Sequence, residues 1–369
     1  MKQLFTLFLI LIAATICFGQ DINIGIRDSV FSKILDQERE LSIYLPPSYY
    51  SSPDQKYPVL YILDGDYNFR YVAGILELEG GISQRIPEMI LVAISGKGTS
   101  TYRKNCKPNL AGVEDKGNAE EVTEFIAKEL IPYVNTKYNT DGFKILSGHS
   151  VGGLFVINTA LHNPKLFDRY IAISPALWWA GNAINQIAEE KVNGKDFKTN
   201  VYVSLADEKG MGVDSFLGVA TSSFLKNSIT VYGIALSFII IAVLWGFRRK
   251  KVLFPIFLGL IGIGISAYLM FCYYPQNENF KFRKFADENH NSVGEPTYRW
   301  ALEDIFKSWR VDKDYFDSTE DLKNHYTLVK STYGTTFNIP YTVLGNTYYM
   351  LQNNPDELSK MEVILKANY

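Results

Sequence analysis

Gly148-His149-Ser150-Val151-Gly152 is the stretch of this chain whose residue types and spacing could do covalent chemistry. A serine hydroxyl is a weak nucleophile unless it is exposed, oriented and relieved of its proton. A G-x-S-x-G segment answers the first two needs when it forms a sharp strand-to-helix turn that lifts Oγ above a sheet. Its glycines are required because a Cβ there would collide with the neighbouring strand or helix. The flanks agree: the apolar Lys144-Ile145-Leu146 precedes the turn, Gly153 extends the small-residue cluster, and residues 154–161 read as a helix. Proton removal needs a base, and the base needs an acid to fix its tautomer.

The chain has four histidines. His149 adjoins Ser150, and elbow geometry is expected to point it away. His162 closes a helix ahead of Asn163-Pro164, and His325 sits in a late amphipathic segment. His290 lies in the polar run Glu288-Asn289-His290-Asn291-Ser292, after the strand-like stretch 280–285, and is the candidate base. The turn after the strand-like stretch 201–205 offers Asp207 and Glu208. The chain order Ser, acid, His suits a sheet hydrolase; Glu208 is favoured, with Asp207 as the alternative acid. An oxyanion hole needs two N–H donors. Val151, directly after the nucleophile, and Asp66, in the turn Asp64-Gly65-Asp66, are the candidates.

These groups must be carried by something. Residues 40–45 alternate like a strand, while 58–63, 88–94, 170–173 and 201–205 are short apolar runs, as strands covered on both faces would be. Residues 119–138 read as an amphipathic helix, with Val122, Phe125, Ile126, Leu130 and Val134 on one face. Strands alternating with helices predict a mostly parallel α/β sheet, with working groups at the carboxyl ends of the strands.

Two further segments stand apart. Residues 1–19 have an early Lys2, an apolar run and Gly19 before Gln20, the layout of a secretory signal peptide. Residues 229–247 and 252–274 are free of charge, and each is long enough to cross a bilayer, which takes about 20 residues. Arg248-Arg249-Lys250-Lys251 between them belongs on the cytoplasmic side. The expectation is an exported protein, anchored in the lipid bilayer through residues 229–274, with the catalytic unit outside. A net charge of −2 argues against nucleic acid as partner, and three scattered cysteines supply neither a disulfide framework nor a metal cluster. No cofactor or metal is implied. The expected organisation is residues 1–19 signal, 20–226 and 276–312 the two parts of the catalytic domain, 227–275 the inserted hairpin and 313–369 a helical tail. In that tail Leu344-Gly345-Asn346-Thr347-Tyr348 fits the core of a tetratricopeptide-like helix, and Asn354-Pro355 opens another. One such repeat must dock on the body, on a partner or on a second copy.

Several stretches together resemble one family. They are Arg39-Glu40-Leu41-Ser42-Ile43-Tyr44-Leu45-Pro46-Pro47, Tyr57-Pro58-Val59-Leu60-Tyr61-Ile62-Leu63-Asp64-Gly65, the elbow, Ile173-Ser174-Pro175-Ala176-Leu177-Trp178-Trp179 and the run around His290. The chain resembles the α/β-hydrolase esterases that include esterase D and the enterochelin (ferric siderophore) esterases. The resemblance implies an α/β-hydrolase fold acting on carboxyl esters, with the nucleophile on Ser150 and the base on His290. It also implies that Trp178 and Trp179 wall the substrate pocket. Relatives carry an arginine- and aspartate-bearing loop near 101–108; here Arg103 is the residue that could serve. The hairpin is not part of the family pattern. The expected activity is a serine esterase on a small-molecule ester; a binding scaffold on the same fold and an acyltransferase are the alternatives.

Overall fold

The computed structural model describes residues 23–192, 199–220, 279–311, 313–335 and 337–368. The expected signal (1–19) and hairpin (229–274) lie outside them; among the described residues no helix is long and apolar enough to cross a membrane.

Eight strands form one sheet in the order β1-β2-β4-β3-β5-β6-β7-β8. They are β1 (Ile26–Ser32), β2 (Gln37–Tyr44), β3 (Tyr57–Ile62), β4 (Ile90–Ile94), β5 (Thr140–His149), β6 (Arg169–Ile173), β7 (Val201–Leu205) and β8 (Phe280–Lys284). The β1/β2 and β2/β4 pairs are antiparallel; every pairing from β4 to β8 is parallel. The expected mostly parallel sheet is therefore present. Pro58, which cannot donate to a ladder, sits where the β3–β5 register shifts, so a central strand tolerates it.

Helices fill the connections between the strands. In the first half of the chain they are α1 (Gly65–Leu76), α2 (Thr99–Cys106), α3 (Ala119–Phe125), α4 (Ile131–Lys137) and α5 (Val151–His162). In the second half they are α6 (Trp179–Val192), α7 (Val213–Ala220), α8 (Gly294–Ile305), α9 (Thr319–Tyr333) and α10 (Tyr341–Leu351), with α11 (Pro355–Asn368) closing the tail. The predicted helix 119–138 exists as α3 and α4 joined through a wider π turn, Ile126–Leu130.

Period-two alternation divides the strands between two cores. Val59, Tyr61 and Leu146 face one side with Phe125, Leu154 and Phe155; Leu60, Ile62 and Ile145 face the other with Val72, Tyr298 and Leu302. Helix α5 is buried at every position from Val151 to Leu161, because the sheet and neighbouring helices enclose it. Each fully buried large apolar side chain there contributes about 1.5–3 kcal/mol.

The tail docks on the body. Val329, Tyr333 and Phe337 join Phe143 and Phe306 in one core, while Leu322, Val343, Leu344 and Met361 form a smaller one among α9–α11. Strand β8 lies parallel beside β7, with Val201 opposite Phe280, and the Phe280 ring lies 5.8 Å from that of Phe216, so the chain resumes against the helix that precedes residue 221.

Candidate active site

Strand β5 runs to His149, α5 begins at Val151, and Ser150 between them has φ 58° and ψ −115°. That is a strained backbone for a residue with a Cβ, costing on the order of 1–3 kcal/mol, and its surroundings must impose it. The Ser150 N–H donates to the Ile173 carbonyl at 2.9 Å, and the Ala176 N–H donates to the Ser150 carbonyl at 2.9 Å. The elbow is thus pinned to the turn after β6. A Cβ on Gly148 would come within 2.4 Å of the Gly152 carbonyl oxygen, and one on Gly153 within 2.9 Å of Pro175 Cα. The glycines permit this approach.

His290 and Glu208 meet, although 82 positions separate them: Nδ1 and Oε2 are 2.8 Å apart. A carboxylate can only accept, so Nδ1 carries the proton of this contact and Nε2 is the ring nitrogen left free of Glu208. Both side chains are mostly covered, at 34% and 17% exposure. The neighbouring Asp207 is 65% exposed and pairs with Lys284 at 2.9 Å, which holds its carboxyl below the usual range. Of the two candidate acids, only Glu208 touches His290. Ser150 Oγ makes no hydrogen bond to the imidazole; such contacts in ligand-free sites are commonly long and close on substrate binding.

His149 departs from expectation. It does not point away: its ring lies against His290, with centroids 4.6 Å apart and planes tilted by 39°. The reason is strand parity, since Ile145, Ser147 and His149 share one face of β5, the face on which α8 and the loop before it pack. Burial pushes the His149 imidazole down to about 4, with the His290 ring adding to the effect, so it is neutral near pH 7. His162 is exposed at the end of α5, and His325 contacts the Trp309 carbonyl far from the elbow.

Val151 and Asp66 both lie in the first turn of a helix, where N–H groups have no intrahelical acceptor. The Asp66 carboxylate is already engaged by the Ser95 hydroxyl and the Gly96 N–H, each at 2.9 Å. Beside the elbow a cleft of about 60 Å³ is lined by Val151, Leu154, Trp178, Trp179, Arg103 and Lys107. Trp178 is half exposed; Trp179 is buried and donates its indole N–H to the Asp115 carbonyl. Lys107, which forms an ion pair with Asp115, and Tyr102, whose hydroxyl donates to the His149 carbonyl at 3.1 Å, carry no motif that marks them in the sequence. Only their place after β4 could have signalled them. Among the described residues no cluster of His, Cys, Asp and Glu could hold a metal ion.

Comparison with known proteins finds esterases among the relatives of this chain. The chain is 28% identical over 166 residues to the ferri-bacillibactin esterase BesA of Bacillus subtilis, covering 39% of this chain and 56% of that protein. It is 37% identical over 84 residues to a siderophore enterobactin esterase of Emericella nidulans, covering 22% of this chain and 28% of the relative. The chain thus matches between about a quarter and about half the length of these two relatives. An IroE-like serine hydrolase from Shewanella oneidensis superposes with a TM-score of 0.63 at 23% identity, over 93% of this chain and 98% of that one. The BES protein from Bacillus cereus follows at 0.54 and 21%, over 78% and 97%. At these identities the likeness is one of fold. The family described as "Putative esterase" matches residues 32–222, just over half of the chain, and the chain belongs to it.

Proposed function

We propose that this protein is a serine esterase that cleaves carboxyl esters through an acyl-enzyme. The observation that carries the reading is the His290–Glu208 contact of 2.8 Å at the end of the sheet where the strained Ser150 turn also stands. Ser150 Oγ passes its proton to His290 Nε2 and bonds to the ester carbonyl carbon; Glu208 holds the imidazole tautomer and steadies the imidazolium. The carbonyl oxygen, now negative, takes the N–H groups of Val151 and Asp66. The C–O bond to the alcohol breaks, and the alcohol leaves with the proton from His290. Water repeats the sequence in reverse and frees the acid.

The substrate in this reading is an ester of the siderophore class. One relative is named a siderophore enterobactin esterase and another a ferri-bacillibactin esterase, and the cleft offers an exposed Trp178 face beside the Arg103 cation, a setting for an aromatic, anionic acyl group. Export through residues 1–19 and bilayer anchoring through 229–274 belong to the same proposal. Their support is the apolar run after Lys2, the charge-free stretches 229–247 and 252–274, and the basic loop at 248–251.

The test is turnover of p-nitrophenyl butyrate by detergent-solubilised full-length protein, with fluorophosphonate labelling, followed by a ferric trilactone siderophore. Ser150-dependent release and labelling are expected. Equal release by the Ser150→Ala variant, with no labelling of the wild type, overturns the esterase and favours a binding scaffold.

A further inference from the structure

Arg39 is buried to 2% exposure on β2, and among the described residues no carboxylate touches it. Its Nη2 donates to the Ser95 carbonyl at 3.1 Å, its guanidinium lies 5.9 Å from the Phe125 ring centre, and Nε and Nη1 are buried without a partner. A cation so placed costs several kcal/mol unless opposite charge compensates it. A carboxylate stands one step away: Ser95, held by Arg39 through its carbonyl, donates its hydroxyl to Asp66 Oδ2, and the Gly96 N–H donates to the same oxygen. Burial lowers the affinity of Arg39 for its proton, while Cys106 and Asp66 oppose that.

This relay ends on a turn that is strained and closely packed. Asp64 is left-handed (φ 56°, ψ 48°), which costs a residue with a Cβ about 1–2 kcal/mol. Gly65 lies so close to β4 that a Cβ would sit 2.7 Å from the Ala93 carbonyl carbon. The Asp64 carbonyl accepts the N–H groups of Tyr67 and Asn68, each at 3.1 Å, which starts the helix; the side chain of Asp66, clamped to Ser95 and Gly96, ties that helix start to the segment after β4.

We propose that Arg39 and Ser95 form a latch that positions the Asp66 turn so that its N–H aims at the oxyanion, making Arg39, Ser95 and the Asp66 carboxylate positioning residues for the acyl-transfer step. This rests on the esterase reading of the Ser150 site. A donor misaimed in an oxyanion hole is lost chiefly from the transition state. The latch therefore acts on kcat and leaves KM in place.

The test uses the full-length protein and compares Asp66→Ala with Asp66→Asn, whose amide oxygen can still accept from Ser95 and Gly96. Arg39→Met, which keeps the volume and removes the charge, is measured beside them. Asp66→Ala is expected to lower kcat about 10- to 100-fold with KM within about twofold, and to weaken a trifluoromethyl ketone inhibitor by a matching factor. Asp66→Asn should recover most of the loss. Arg39→Met should lower kcat about tenfold and speed hydrogen exchange at the Gly65 and Asp66 amides. Unchanged kcat and exchange in Asp66→Ala and Arg39→Met, or a loss in Asp66→Ala that Asp66→Asn does not recover, overturns the latch while Ser150-dependent turnover leaves the esterase standing. Loss of Ser150 dependence in the wild type overturns both.

Discussion

The two ends of strands β3 and β5 make opposite kinds of space. At the carboxyl ends the opening beside the elbow is about 60 Å³, lined by Val151, Trp178 and Arg103, and the same end of the sheet carries the strained Ser150 backbone, the tilted His149–His290 pair and the His290–Glu208 contact. At the amino ends a cavity of about 590 Å³ lies between the body and the tail, lined among others by Ser48, Lys56, Gly81, Trp309, Phe337 and Tyr341. The larger void has no histidine on its walls; its Ser48 hydroxyl donates directly to the Glu88 carboxylate, with no imidazole between them. It is left where the aromatic tail docks on the loops before β3 and β4. Volume follows packing; chemistry follows convergence of polar groups that the fold holds under strain.

The first way to break this contrast is to remove the nucleophile. Ser150→Ala should lower kcat about 10⁴-fold or more in ester turnover, with the melting temperature hardly moved. Next, Glu208→Ala should cost about 10²- to 10⁴-fold in kcat/KM, whereas Asp207→Asn should stay within about twofold, since Asp207 faces solvent and Lys284. Equal losses in the two variants would mean that the acid is shared. At the other end, Trp309→Ala should remove about 3–5 kcal/mol of stability in chemical denaturation. At a temperature where that variant is folded, its kcat/KM should match the wild type within about twofold; a tenfold fall would tie the tail to the site.

The smallest effect sharpens the comparison along a single strand. At the carboxyl end of β5, burial takes His149 down to about 4. The unfolded chain binds that proton below its ordinary 6.5 and the folded chain refuses it. Stability present above pH 6.5 is therefore lost as pH falls from 6.5 towards 4. At the amino end, burial raises Asp141 to about 7, with Asp168 nearby adding to it. The folded chain keeps that proton after the unfolded one releases it, so stability is lost as pH rises from 3.8 to about 7. Denaturation midpoints against pH should lose their acid-side slope in His149→Phe. In Asp141→Asn, whose amide oxygen can still accept from Phe143, the midpoint at pH 8 should rise. A midpoint unchanged by either substitution would sink the assignment.

Much of this architecture is legible in the residues because it depends on short-range rules. Mostly apolar runs mark β3, β4, β6 and β7, and the glycine spacing marks the Ser150 turn, since the clash that excludes a Cβ is local. Strand β1, with most of its residues exposed on the sheet edge, carries no apolar run to read. The choice between Asp207 and Glu208 is not legible either. Adjacent residues leave a strand end in different directions, and only the loop that brings His290 decides which one it meets. His149 escapes sequence reasoning for a related reason. Its own turn is local and readable, but the element covering that face of β5 comes from far along the chain. Arg39 shows nothing in sequence, because an arginine in a strand announces neither its burial nor what it lacks.

The parallel seating of β8 against β7 has one practical consequence. A polypeptide severed anywhere between residues 221 and 278 would leave the serine and the glutamate on one fragment and the histidine on the other. The proposed ester turnover would then return only when the two halves found each other and rebuilt that seam. Co-expressed halves of this chain would make a complementation reporter, in which a coloured product counts reassembled molecules.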